Sequence, residues 1–421
     1  MKKFIKEITI NTAEELFREL SVTGKYKDLI GNFLFRGHED EDWELLPSIF
    51  RENVLKLLFS EKELYLEAEE YSLERFHFLR VIRERGLVYD FYKEASQKGL
   101  EVLRIEDIEN YKRNQDDLMN KELYEIEPIE WMKDVNIEEI CALCQHYDLP
   151  TRLLDWSGDI YVAIYFAVQD IFNKNKKINK EKNIAIWAFD FEKIKMYNSY
   201  CTDLNENIQY RNQVSEGDKN KVNKKNYSKY NEEIKLKNKK VNLDNFNSKE
   251  FDNKNLEIYK YNMKVKKYNF EIGDDNYQKL KEYKKFLIPV YSVVPPYYAN
   301  ANINAQKGVL LYQKTLYSAL EEGESLFDFN KKQVAEWENS EEYRVFKLSL
   351  DELIDRYLSK DIFEKLEMDT LFYKFLIPQE ETLNIMEYLY KLEYDAAKIF
   401  PGYQSITKKI LEQKRIYNKE V

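Results

Sequence analysis

The sequence predicts an α/β (or α+β) fold: a central mixed or antiparallel sheet, covered by helices and interrupted by a long low-complexity insertion. Three observations carry this. The apolar runs at 32–35 and 183–189 have the length and aromatic or β-branched content of buried strands. Residues 158–172 and 380–392 read as helices, the first apolar enough to be buried. Residues 195–285 lose Leu, Ala and Gly and fill with Asn, Lys and Tyr, as an insertion does.

Element by element, residues 1–30 read as a helical lead-in. Thr12 followed by Glu15 is a capping box that opens a helix to about Leu20. The strand at 32–35 ends at Arg36-Gly37, where glycine would let the chain turn at once. Arg36 and His38 would then stand at a strand end, where sites collect in α/β proteins. Residues 51–95 carry apolar positions at helical spacing. Asn136 and Glu139 cap a helix over 137–146 that delivers Gln145 and His146 at its end. Pro150 then forces an extended or turn conformation before it. After the insertion come strands at 286–289 and 344–348, and a second Phe-Leu-Ile-Pro at 375–378. A C-terminal helix over 405–415, within a last segment 403–421, closes the chain.

A chain of 421 residues can bury a full core. Its net charge of -10 argues against a bulk nucleic-acid coat, though not against a local basic groove. From Lys219 to Lys240 there are nine lysines against two glutamates. Either this is a mobile, compositionally biased arm or it contacts nucleic acid; the first is preferred, because its tyrosines have no regular spacing. Thr9, Asn11, Glu14 and Glu15 interrupt any secretory h-region after Met1-Lys2-Lys3. The longest apolar stretch, 160–168, is too short to span a bilayer. Three cysteines make no disulfide framework. The reading is therefore a cytoplasmic protein away from the membrane, of undetermined oligomeric state. Cys141 and Cys144 with His146 offer three zinc ligands but no second pair, so the cysteines read as core and no metal is expected. No P-loop, G-x-G-x-x-G, H-E-x-x-H or G-x-S-x-G motif is present.

The densest chemistry lies in 144–156, where Gln145, His146, Tyr147, Thr151, Arg152, Asp155 and Trp156 crowd together. Arg36 and Arg152 carry planar forks suited to phosphate, or to structural ion pairs; Asp155 lies three residues from Arg152 and could pair with it. His146 could act as a base, hydrogen-bond a ribose or complement a helix C-terminus, and His38 is similarly ambiguous. His77 reads as an ordinary helix residue. Asp155 could orient His146 or stabilise an oxocarbenium ion. Tyr147 and Trp156 could stack on a ring or fill the core, and Gln306 could bind an amide or base edge.

Phe35-Arg36-Gly37, Gln145-His146-Tyr147 with 150–156, Ala163 with 165–167, Gln306-Lys307-Gly308, 375–378 and Phe400-Pro401-Gly402 together resemble the FRG-domain family over about 30–412. Asp148 departs from its usual glycine, and Ser157 from its usual threonine. The resemblance implies a domain from bacterial and phage settings that suggest phage defence. Its aromatic-Arg-Gly strand is also similar to the first motif of ADP-ribosyltransferases, although Gln306 is followed by no glutamate of that family. The expected function is an enzyme acting on a nucleotide such as NAD, either NAD-cleaving or ADP-ribosyltransferase-like. His146, Asp155 and Arg36 would be catalytic; Arg152, Thr151, Gln145, Tyr147, His38, Gln306 and Trp156 would bind the ligand. The alternatives are a non-catalytic ligand- or nucleic-acid-binding sensor and a purely structural polar network.

Overall fold

The computed structural model describes residues 4–59, 73–100, 102, 135–173, 178–202, 287–288, 290–293, 301–313 and 349–419. The chain divides into one unit of 1–194 with 288–421 and a second of 195–287. The first holds all the strands among the described residues. They are β1 (Ile5–Thr9), β2 (Leu34–His38), β3 (Leu153–Ser157), β4 (Asn183–Phe189), β5 (Val290–Val293), β6 (Gly308–Gln313) and β7 (Phe372–Pro378). They form one mixed sheet in the order β1-β7-β4-β2-β3-β6-β5, with β1 parallel to β7 and every other pair antiparallel. This is the expected α/β class. The basic arm from Lys219 to Lys240 and the strand expected at 344–348 lie outside the described residues.

The described helices include α1 (Ala13–Glu19), α2 (Glu52–Leu58), α3 (Leu73–Gln97), α4 (Val135–His146), α5 (Ile160–Asn173), α6 (Ala301–Ala305), α7 (Leu350–Tyr357), α8 (Lys360–Lys365), α9 (Thr382–Lys391), α10 (Ala396–Ile399) and α11 (Tyr403–Asn418). Among the described residues no helix is long and apolar enough to cross a membrane.

One core lies where α5, α9 and α1 pack on Phe35, Ile184, Ile186, Phe375 and Ile377. Nine residues of α5 are buried. Each large apolar side chain so buried contributes about 1.5–3 kcal/mol. A second cluster joins Val88 of α3 and Ile140, Cys141 and Cys144 of α4 to Leu153, Leu310 and Tyr312.

Several expectations are corrected. The lead-in is not only helical: β1 adds a strand to the sheet edge, because Ile5 and Ile8 pair with Phe372 and Phe375. Gly37 makes no turn, since β2 runs through it to His38. The glycine is required by packing instead. A Cβ there would stand 2.0 Å from Ala163 O and 2.7 Å from Ala167 N, so α5 lies directly on the strand backbone. The last edge strand begins at Val290; of the expected strand 286–289, residues 286 and 289 lie outside the described residues and 287–288 are not strand. The 153–156 portion of the polar motif, for which no element was expected, is ordered in the sheet. It is itself a strand, pairing with β2 and β6.

Candidate functional site around Arg36 and Asp155

Alternation along β2 separates packing from chemistry. Phe35 and Gly37 face α5, so Arg36 and His38 face the other side of the sheet. There Arg36 is the register partner of Trp187, which is the partner of Lys374. The Lys374 ammonium lies 5.1 Å from the Trp187 ring centre. Trp156 packs on Phe189, 5.4 Å between rings, and Phe189 stacks on Phe372 at 4.3 Å. The indole N–H groups of Trp156 and Trp187 are buried and have no acceptor among the described residues. A buried donor so placed costs about 1–3 kcal/mol.

β2 and β3 share one pair, Phe35 with Ser157. Arg36 bridges the seam: its NH1 donates to Asp155 O at 2.6 Å, and its Nε–H donates to His38 Nε2 at 2.9 Å. His38 Nδ1–H in turn donates to Trp43 O at 3.2 Å. Both ring nitrogens are thus engaged in a way that only neutral imidazole satisfies. Burial holds the His38 pKa well below the usual histidine range, helped by the charges of Arg36, Arg51 and Lys374 against the Trp43 hydrogen bond. Burial pulls the Arg36 guanidinium down to about 10; Asp155 opposes this and Arg51 reinforces it. Arg36 therefore stays cationic at neutral pH.

The depressed His38 pKa fixes a sign. Below the unfolded value of about 6.5 the unfolded chain binds a proton that the folded chain refuses, so stability falls as pH falls. The slope approaches about 1.4 kcal/mol per pH unit. Urea melts from pH 7 to pH 5 should show it, and His38→Gln should flatten it. An equally steep profile in that variant would deny His38 this role.

Asp155 is exposed and is held from one side by Gln145, whose Nε2 donates to Oδ2 at 3.0 Å. Gln145 is oriented by Thr151, whose hydroxyl donates to Oε1 at 2.5 Å. Thr151 is locked to Ser48, whose hydroxyl donates to Thr151 O and accepts from Thr151 N. This latch draws the 47–51 segment to the start of β3 and brings in Arg51. Arg51 lies within electrostatic range of Asp155, Arg36 and His38. Burial lowers the Arg51 pKa, and Asp155 counters it.

His146 ends α4 half-buried, its Nε2 3.3 Å from the Asn302 amide nitrogen. Burial lowers its pKa, and the charges of Asp148 and Asp155 oppose that. The α4 end explains the departure at 148. Leu149 N donates to Cys144 O at 3.0 Å and Asp148 N to Gln145 O at 3.2 Å, with Asp148 at φ 62. This is the left-handed helix stop that glycine usually makes. Aspartate tolerates it, and the turn is kept.

Asp155 therefore accepts from Arg36 at its carbonyl and from Gln145 at its carboxylate, and its charge is felt by His146 and Arg51. Other expected ligand residues are engaged elsewhere. Arg152 is fully buried and grips Glu84: Nε lies 2.9 Å from both carboxylate oxygens, and NH2 2.5 Å from Oε2. It pairs with neither Asp155 nor solvent. Thr151 is buried behind Gln145. Trp156 is 3% exposed, within the aromatic row. The Gln306 amide donates to Ile399 O at 3.2 Å. Tyr147 is exposed and lies 6.4 Å from the Phe91 ring. His77 falls in α3, and its side chain is outside the described residues. Cys141 and Cys144 are buried, the Cys144 thiol pushed up to about 12 by burial. Among the described residues no His, Cys, Asp and Glu group could hold a metal.

Arg51, Trp43, Ser48 and Glu84 were not singled out by sequence. Only Trp43 left a signal, as one of five tryptophans, set between Asp42 and Glu44.

The chain is thus an α/β protein in which Arg36 and the exposed Asp155 meet at the seam between two central strands. Residues 31–176 match the family described as FRG domain, so the chain carries an FRG domain. The match includes every residue of the Asp155 cluster and ends before β4. No curated protein and no solved structure matches the chain.

Proposed function

We propose that this FRG-domain protein is an enzyme that cleaves the nicotinamide–ribose bond of NAD. The observation that carries the reading is that Arg36, which donates to the Asp155 carbonyl, and Arg51 both lie within electrostatic range of the exposed Asp155 carboxylate, with His38 held neutral between Arg36 and the Trp43 carbonyl. Two fixed cations suit a diphosphate, and arginine forks match its oxygens. Like charges held close need an anion to relieve them.

The chemistry follows from the remaining groups. The bond from ribose C1′ to the pyridinium nitrogen breaks, and both electrons leave with the ring as neutral nicotinamide. The positive charge left on the ribose is stabilised by Asp155, as carboxylates do at glycosidic centres. Water then adds to C1′ and passes its proton to neutral His146, giving ADP-ribose. Attack by another nucleophile would make the same cleavage an ADP-ribosyl transfer. Either outcome would suit phage defence, by depleting NAD or modifying a target.

Proton NMR of purified protein with NAD, with cell extract added as a source of acceptors, tests this. Nicotinamide release should appear with the wild-type chain and fall by at least 100-fold in Arg36→Ala and in Asp155→Asn. Undiminished release in Arg36→Ala, or no release by the wild-type chain, would overturn the assignment.

A further inference from the structure

We infer that Trp43 is the base-stacking residue of this site, so that its ligand is a nucleoside diphosphate moiety and not a bare phosphate or pyrophosphate. This rests on the reading that Arg36 and Arg51 hold phosphates. Trp43 is 49% exposed, whereas Trp156 and Trp187 are buried. It is not a loose surface ring. Its backbone N–H donates to Asp40 O at 3.2 Å, and its backbone carbonyl accepts from His38 Nδ1. Its ring centre lies 6.0 Å from that of His38, whose other nitrogen receives Arg36 Nε–H. The His38 hydrogen bond therefore ties the backbone that carries the indole to the Arg36 side of the site, with one five-membered ring between them. A furanose separates base from phosphate in a nucleotide in the same way.

Charge sets the direction. Trp43 follows Glu39, Asp40, Glu41 and Asp42 and precedes Glu44. Lys182 binds Asp40 and Asp42, and the Asn183 amide binds Glu41. An acidic loop repels phosphate but tolerates a neutral base, while the Arg36 and Arg51 end does the reverse. An exposed, well-anchored indole gives a base a broad face at little conformational cost.

Calorimetric titration of the full chain with ADP and with inorganic pyrophosphate, without added metal, separates the parts. The wild-type chain should bind ADP about 10-fold tighter than pyrophosphate, the usual worth of one stacked base. Trp43→Ala should remove that preference and leave pyrophosphate binding unchanged, and Trp43→Phe should keep part of it. ADP should also quench tryptophan fluorescence less in Trp43→Phe than in wild type. Equal binding of the two ligands by wild type, or equal losses for both in Trp43→Ala, would overturn the stacking role while leaving the phosphate site standing. Failure of the wild-type chain to bind pyrophosphate, or undiminished pyrophosphate binding by Arg36→Ala, would instead overturn the phosphate reading beneath it.

Discussion

Replacing Glu84 with alanine should lower stability by about 3–5 kcal/mol. Arg152 and Glu84 are both fully buried, and the guanidinium meets the carboxylate through Nε and NH2. The backbone N–H of Arg152 also donates to Glu84 Oε1 at 3.1 Å. Removing the carboxylate leaves a guanidinium in the interior without its counter-charge. Arg152→Ala should be comparably harmful, because it strands the carboxylate. Replacing both, as Glu84→Leu with Arg152→Met, should recover much of the loss, since an apolar pair carries no desolvation penalty. Urea unfolding of the four proteins measures the cycle. A Glu84→Ala chain within 1 kcal/mol of wild type would mean that the pair does not brace α3 against β3.

Gly37→Ala should be the most disruptive single methyl in the sheet. The new Cβ would overlap Ala163 O and crowd Ala167 N, both backbone atoms of α5. No rotamer change relieves that contact, so α5 must lift from β2. Overpacking of this kind costs about 3 kcal/mol, at the upper end of its usual range. The lift would also disturb Phe35 and its neighbour Arg36, so binding should weaken beyond the stability loss. A thermal melt of Gly37→Ala matching wild type would show that α5 does not depend on this approach.

The sequence made the chemistry of the site more legible than its geometry. Arg36, His38, Gln145, His146 and Asp155 stood out because their residue types are rare together. The role of Gly37 was not legible, because the atoms that demand glycine sit on α5, more than a hundred residues away. Arg152 looked like Arg36 in its motif. Only Glu84, on an unremarkable helical stretch, makes it structural. Arg51 reaches the site through the latch of Ser48 and Thr151, a contact across 103 positions that no local pattern announces. β3 was missed for a different reason. Leu153, Leu154 and Trp156 are all buried around exposed Asp155, so the strand shows no clean alternation. Asp148 was flagged as a departure, and the helix stop it forms shows how one aspartate can keep a turn that glycine usually makes.

We propose that Arg36 serves a ligand whereas Arg152 serves the core, and thermal melts with and without ADP-ribose separate the two roles. At a hundredfold excess over Kd, ADP-ribose should stabilise the wild-type chain by about 2.7 kcal/mol. Arg36→Ala should lose no more than about 1–3 kcal/mol without ligand, the worth of its hydrogen bonds to Asp155 O and His38, and should lose the ligand-induced shift. Arg152→Ala should already be strongly destabilised without it. An Arg36→Ala chain that keeps the full shift, or that unfolds as readily as Arg152→Ala, would contradict the claim.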